Sequence, residues 1–191
     1  MPAYHVDVPA DPAARPRRIR RAMRVLLMDD QERLLLFRDS DLGLTPVPHW
    51  WITPGGGVGS GESDVTAALR ELREETGLEV TAAELVGPVG RRTVVHGYSD
   101  QVTTQHDVFW LVTVPAFDVS TAGHTVEEQA TMSEHHWWTR AELESVDPAE
   151  PVWPVDIVRL LEVAQSPDRS AWPVDLGQCE ESTVPAAPPA S

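Results

Sequence analysis

The sequence predicts one domain of the α/β (α+β) class, a mixed sheet packed between helices, and three observations lead there. Short runs rich in Val, Leu, Thr and Trp recur between turn residues, at Arg24–Met28, Leu34–Arg38 and Val102–Val114. A glycine-dense loop at 54–61 leads into an amphipathic helical pattern that stops at Gly77, and a second helical pattern covers 155–165. The length of 191 residues suits one domain with extra length at its ends, since domains commonly run to roughly 100–200 residues.

Residues 1–18 mix Pro, Ala and Arg and read as a flexible arm, whose arginines, continuing to Arg24, form a solvated or docked segment. The domain proper spans 19–165. It opens with a hairpin, Arg24–Met28 and Leu34–Arg38 joined by the turn Asp29-Asp30-Gln31-Glu32. A proline-containing loop to His49 precedes a strand at Trp50–Thr53, then Pro54-Gly-Gly-Gly57, then a helix from about Glu62. Glu84–Val89, Thr93–His96 and Val102–Val114 read as strands, and the 155–165 helix offers Val155, Val158, Leu160 and Leu161 to the core. Beyond it, 166–191 is Pro-rich, with Pro167, Pro173, Pro185, Pro188 and Pro189, and reads as a disordered tail whose apolar anchors are Trp172, Val174 and Leu176.

Composition prunes the functions. Hydrophobic residues make up 41% and charged residues 24%, near the averages of roughly 45–50% and about 25% for globular chains, so a core is expected. A formal net charge of -15 argues against a nucleic-acid partner, because neutralising phosphates requires clustered cations. Cys179 stands alone, which excludes intramolecular disulfides and cysteine zinc sites and makes a reducing cytoplasm the expected location. No apolar run approaches the ~18 residues of a membrane span. All fifteen Lys+Arg positions are Arg, so P-loop, Schiff-base and nucleotidyl-lysine chemistry is excluded. Oligomeric state is open, a homodimer included.

The chemistry concentrates in one helix. At 100° per residue, with Glu71 at 0°, Glu74 falls at about -60° and Glu75 at about +40°, so three carboxylates share a face. Val65, Ala68, Leu69, Leu72 and Thr76 form the opposite, apolar stripe. Carboxylates in the last turns oppose the helix dipole, and Glu71 repels Glu75 at i,i+4. Arg70 can pair with Glu74, but one guanidinium cannot neutralise three acids. Hard divalent cations, Mg2+ or Mn2+, suit clustered oxygen ligands. The preceding glycines allow the backbone to approach a ligand closely.

From Gly56 the order is glycine, five residues, Glu62, seven residues, then Arg70-Glu71-Leu72-Arg73-Glu74-Glu75-Thr76-Gly77-Leu78. This resembles the complete Nudix box of the Nudix (MutT-like) hydrolases. Trp51-Ile-Thr-Pro-Gly-Gly56 and Trp137-Trp-Thr-Arg-Ala-Glu-Leu143 look like the flanking regions of that family, and the resemblance covers about 19–165. It implies a Nudix-type α/β/α sandwich with a mixed β-sheet, and metal-dependent hydrolysis of a nucleoside diphosphate linked to another moiety. The substrate would be a small phosphorylated molecule: a nucleotide sugar, a dinucleotide or a nucleoside triphosphate. Carried over by position, Glu71 and Glu75 are metal ligands, Glu74 is a further ligand, Gly56 a carbonyl ligand, and Arg70 orients the glutamates. Glu62 supports the loop. The general base is a box glutamate, or one of Glu127 and Glu128 in a later loop, Glu128 also being a candidate ligand. Outside the box, Arg92 and Trp51 are the candidates for substrate contact. Gly59 stands where many members have a glutamate. A proline about fifteen residues past the box and a tyrosine at about seventeen mark two subfamilies; Thr93 and Val95 stand there instead. The alternative reading is a catalytically inactive nucleotide-sensing or partner-binding protein on the same fold.

Overall fold

A computed structural model describes residues 4–186. Strand β1, Arg17–Asp29, is the spine of the sheet, and its residues Ala22–Asp29 are all buried. Side chains alternate along a strand, and here the alternation feeds two cores. Met23, Val25 and Leu27 point into one cluster, whereas Leu26 and Met28 enter the other. A strand covered on both faces is a continuous apolar run in sequence, and that is how Val25–Met28 reads.

The expected hairpin forms between β1 and β2, Leu34–Ser40, with Met28 opposite Leu34. Strand β3, His49–Ile52, pairs antiparallel with β2, and β4, Gly55–Gly57, returns along β1. After helix α1, Asp64–Thr76, come β5, Val86–Gly97, and β6, Val102–Val114. The segments Glu84–Val89 and Thr93–His96, expected as two strands, are largely one: β5 starts at Val86 and keeps its pairing with β6 across a register shift between Val86 and Gly90. Strand β6 lies parallel to β1 over its whole length, from Arg17 opposite Val102 to Asp29 opposite Val114. A short helix α2, Val126–Thr131, precedes β7, Glu134–Trp138, which pairs with β2. Helix α3, Arg140–Glu144, the two-residue β8, Val152–Trp153, and helix α4, Ile157–Gln165, follow.

The sheet is mixed, in the order β8-β3-β2-β1-β6-β5 and then a last strand. Helix α1 covers one face through Ala67, Ala68 and Leu72, and α3 and α4 cover the other through Leu143, Ile157, Leu160, Leu161 and Ala164. This is the sandwich expected. Val155 is a correction: it precedes α4 and is 62% exposed, because the chain enters the helix through Pro154 and the buried stripe begins only at Ile157. Among the described residues no helix is long and apolar enough to cross a membrane.

The larger correction concerns the ends. The last strand, β9, Val174–Glu180, lies parallel to β5, so the segment expected to be disordered closes the edge of the sheet. Trp172 donates from Nε1 to Val163 O at 3.0 Å, and Val174 and Leu176 pack on the α4 core. The partners of β9 lie about eighty residues away in sequence, and no local periodicity reports them. Arg15, expected in a flexible arm, is buried, donating to the carbonyls of Tyr98 at 2.8 Å and Pro185 at 2.6 Å. The first three residues of the arm, and Pro188 and Pro189 of the tail, lie outside the described residues.

Candidate active site

Helix α1 is built to hold its acids still. Ser63 caps its N-terminus, accepting from Thr66 N at 3.1 Å, and Gly77 ends it with φ +72, its N–H donating to Arg73 O. A left-handed C-terminal residue favours glycine, which has no Cβ to clash. Glu71 and Glu75, one turn apart, both lie on the buried side. The glycine loop meets them. Gly55, at φ +131, donates its N–H to Glu75 Oε2 at 2.7 Å, and a Cβ there would stand 2.0 Å from Met23 O. A Cβ on Gly56 would lie 2.6 Å from Glu71 Oε1, so only glycine allows the backbone this close to the carboxylate.

Arg70 ties the arrangement together. It donates to Glu62 Oε1 at 2.8 Å and Oε2 at 2.9 Å, to Glu71 Oε1 at 2.7 Å, to Glu74 Oε2 at 3.1 Å and to Gly57 O at 3.0 Å. Glu62 in turn accepts from Gly59 N at 2.8 Å. The Arg70 guanidinium, with that amide, holds the Glu62 carboxyl down at about 2. Glu62 is thus a permanent anion in the loop.

The third acid arrives from elsewhere in the chain. The segment before α2 is fastened to the end of α1: Ser120 N donates to Thr76 O at 2.9 Å, and His124 Nε2 donates to Glu75 O at 3.1 Å. Gly123 lies so close that a Cβ would meet Glu74 O at 2.4 Å. Thr125 and Glu128 then form a capping box on α2. The result brings carboxylate oxygens of Glu71, Glu75 and Glu128 within 4.8 Å of one another. Glu74 is outside this trio and turned toward Arg70, with its side chain 37% exposed.

These three carboxylates fit a hard divalent cation. Burial, opposed by Arg70, raises the Glu71 carboxyl above its usual range, and burial followed by the charge of Glu71 raises Glu75 well above its own. Converging buried carboxylates whose charges are destabilised this way are stabilised by a cation on oxygen ligands.

The trio opens on a cavity of about 620 Å³. Arg18, Arg20 and Arg24 face it from β1, Trp50 and Tyr98 supply aromatic wall, and Tyr4 and Val6 of the N-terminal segment close one side. Trp50 stacks between Tyr98 and Trp153, with ring centroids 5.7 and 4.7 Å away. Here two sequence expectations fail. Trp51 does not line the cavity; it packs edge-on to Trp138 at 5.1 Å on the opposite face, because neighbours in a strand point to opposite sides. Trp50, which shares its face with the core residue Ile52, is the aromatic of the site, and that alternation was the available signal. Arg92 is likewise not in the cavity. It is buried in ion pairs with Asp107 and Glu181 at 2.7 Å each, a role that no local pattern announced.

Comparison with known proteins follows the same lines. A family model, the NUDIX domain, matches residues 18–161. The bis(5'-nucleosyl)-tetraphosphatase [asymmetrical] of Rattus norvegicus is 38% identical over 71 residues, 37% of this chain and 46% of that protein. A putative 8-oxo-dGTP diphosphatase 2 of Mycobacterium tuberculosis is 34% identical over 116 residues, 58% of this chain and 70% of the relative. The chain thus spans about half the length of the first relative and more of the second. Among solved structures, the MutT protein of Methanosarcina mazei Go1 shares the fold with a TM-score of 0.55 at 19% identity, covering 78% of this chain and 93% of that one. With the box on α1, the sandwich around it and a family match over most of its length, the chain belongs to the Nudix hydrolase family.

Proposed function

We propose that this protein hydrolyses a diphosphate linkage in a small nucleotide, a nucleoside diphosphate linked to a sugar, to a second nucleotide or to further phosphate. The observation that supports it best is the juxtaposition of the Glu71, Glu75 and Glu128 carboxylates with Arg20 and Arg24 in one cavity. Acids of this kind hold cations, arginines hold phosphate oxygens, and a diphosphate needs both.

In this reading Glu71, Glu75 and Glu128 hold Mg2+ or Mn2+, with the Gly56 carbonyl as a further ligand. Bound there, a divalent ion supplies charge neutralisation at phosphorus and a more acidic water. The residues of the chain do the rest. Arg70 orients Glu71 and pins the loop through Gly57 O, with Glu74 and Glu62 as its counter-ions. Arg20 and Arg24 bind the phosphates, Trp50 and Tyr98 stack on the base, and the buried floor excludes water. The proton of the attacking water passes to a carboxylate that lines the cavity, a condition met by Glu71, Glu75, Glu127 and Glu128 and not by Glu74.

The named relatives act on a dinucleoside tetraphosphate and on 8-oxo-dGTP, and the cavity has room for substrates of either kind. The test is a panel of nucleotide sugars, dinucleoside polyphosphates and nucleoside triphosphates with Mg2+, with Mn2+ and with chelator, products resolved by chromatography. Metal-dependent cleavage between phosphates supports the proposal. Tight nucleotide binding without turnover on any member overturns it in favour of a sensing protein.

A further inference from the structure

Beyond the segment matched to the family, the chain returns a carboxylate to the underside of the site. Strand β9 runs along β5, the Glu181 N–H donates to Val95 O at 3.0 Å, and the Glu181 side chain enters the interior. Its Oε1 accepts from Arg92 Nη1 at 2.7 Å and from Val155 N at 3.0 Å. Arg92 Nε donates to Asp107 Oδ2 at 2.7 Å. The other oxygen of Asp107 accepts from Gln105 Nε2 at 2.7 Å and faces Arg24 Nε at 3.9 Å. Gln105 accepts from the cavity residue Arg20 at 2.6 Å. Arg24 donates to Gly55 O at 2.7 Å and to Thr53 O at 3.2 Å, and Gly55 N reaches Glu75. An unbroken series of polar contacts therefore runs from the C-terminal segment to the metal-facing glutamates.

Burial makes the series consequential. The side chains of Arg24, Arg92, Asp107 and Glu181 are 8%, 3%, 0% and 1% exposed. Two guanidiniums are matched by two carboxylates, with little water to substitute for either. Removing one member of a buried ion pair leaves a charge that the surroundings must accommodate. Without the charge of Glu181, Arg92 and Arg24 compete for Asp107. Arg92 holds the closer grip, so Arg24 loses its anion, and its hold on the Gly55 carbonyl weakens as it seeks solvent at the cavity.

We propose that Glu181 is a positioning residue for the active site: by neutralising Arg92 it leaves Asp107 to balance Arg24, which fixes the glycine loop against Glu75. The catalytic consequence rests on the proposed hydrolysis, whereas the consequence for the loop does not. The C-terminal segment, outside the family match, is on this account part of the catalytic architecture.

The test compares the full chain with Glu181→Gln and with the double variant Arg92→Gln/Glu181→Gln, which restores charge balance by removing the cation too. Amide hydrogen exchange is read at Gly55, Gly56 and Gly57 against Leu35 and Val112 of the core strands. In Glu181→Gln the loop amides should exchange at least tenfold faster relative to the core, and kcat should fall about tenfold with KM changed less than about threefold. The double variant should recover both. Loop exchange unchanged in Glu181→Gln, or a double variant no better than the single, overturns the proposal. If the single variant fails to fold and the double folds, charge balance is upheld; if both fail, Glu181 serves the fold and not the loop. Should the full chain hydrolyse nothing in the nucleotide panel, the proposed function fails while the exchange ratios still decide this one.

Discussion

Replacing Gly56 with alanine isolates the fit between the loop and the metal-facing acids. The backbone of Gly56 does not adopt a positive φ, so alanine imposes no conformational strain. The whole effect is one methyl group, placed 2.6 Å from Glu71 Oε1 and 2.8 Å from Oε2. Ordinary contact begins at 3.4 Å, so the carboxylate must retreat by about 0.8 Å, which also strains its 2.7 Å bond to Arg70. A displacement near 1 Å at a reacting centre costs on the order of a hundredfold in rate. Gly56→Ala should therefore lose roughly a hundredfold in kcat and bind Mn2+ less tightly, while overpacking costs about 1–3 kcal/mol in stability. Gly57→Ala is the comparator, since its Cβ meets nothing closer than Arg20 at 3.9 Å, and its loss should be far smaller. Steady-state rates, Mn2+ titration by electron paramagnetic resonance and thermal melts decide the matter. A Gly56→Ala enzyme within threefold of the parent kcat would refute the close approach, and with it the role given to Glu71.

Four further outcomes follow from the same geometry. Glu75→Gln keeps volume and the bond from Gly55 but removes one metal-directed charge; turnover should fall roughly a thousandfold or more with the fold intact, and more than a tenth of activity remaining would remove its role. Arg70→Ala releases Glu71, Glu74 and Glu62 at once and should lower kcat less severely than Glu75→Gln, whereas full activity would dismiss the orienting function. Ending the chain after Gln165 strips β9 and Glu181 from the sheet and should lower the melting temperature by more than about 5 °C; an unchanged melt would mean that β9 adds nothing to stability. His96 is 1% exposed, and burial holds its pKa down at about 4. The unfolded chain takes up this proton below about 6.5 while the folded chain refuses it. Stability from this group is therefore complete above pH 6.5 and falls as pH drops toward 4, by roughly 2–3 kcal/mol. Urea unfolding at pH 7 and 4.5 should show a smaller acid loss in His96→Gln than in the parent, and equal losses would falsify the assignment.

What the sequence by itself determined is whatever a few adjacent residues decide among themselves. Helix α1 begins at Ser63 and ends at Gly77 because capping and left-handed termination are local, and i,i+4 spacing alone puts Glu71 and Glu75 on one side. Arg70 reaches Glu74 for the same reason. The hairpin of β1 and β2 and the full span of β6 follow from short apolar runs and a turn. The tertiary structure decided everything that depends on which distant segments meet. Whether Trp50 or Trp51 faces the cavity depends on which side of β3 receives α1, and the residues themselves are identical. Arg92 has the charge for binding phosphate, but pairing between β5 and β6 sets it opposite Asp107, and β9 then seals it with Glu181. Glu128 joins the box acids only because the loop after β6 is stitched to the end of α1. Such contacts are selected by burial and charge balance over the whole domain, energies to which no single window of sequence has access.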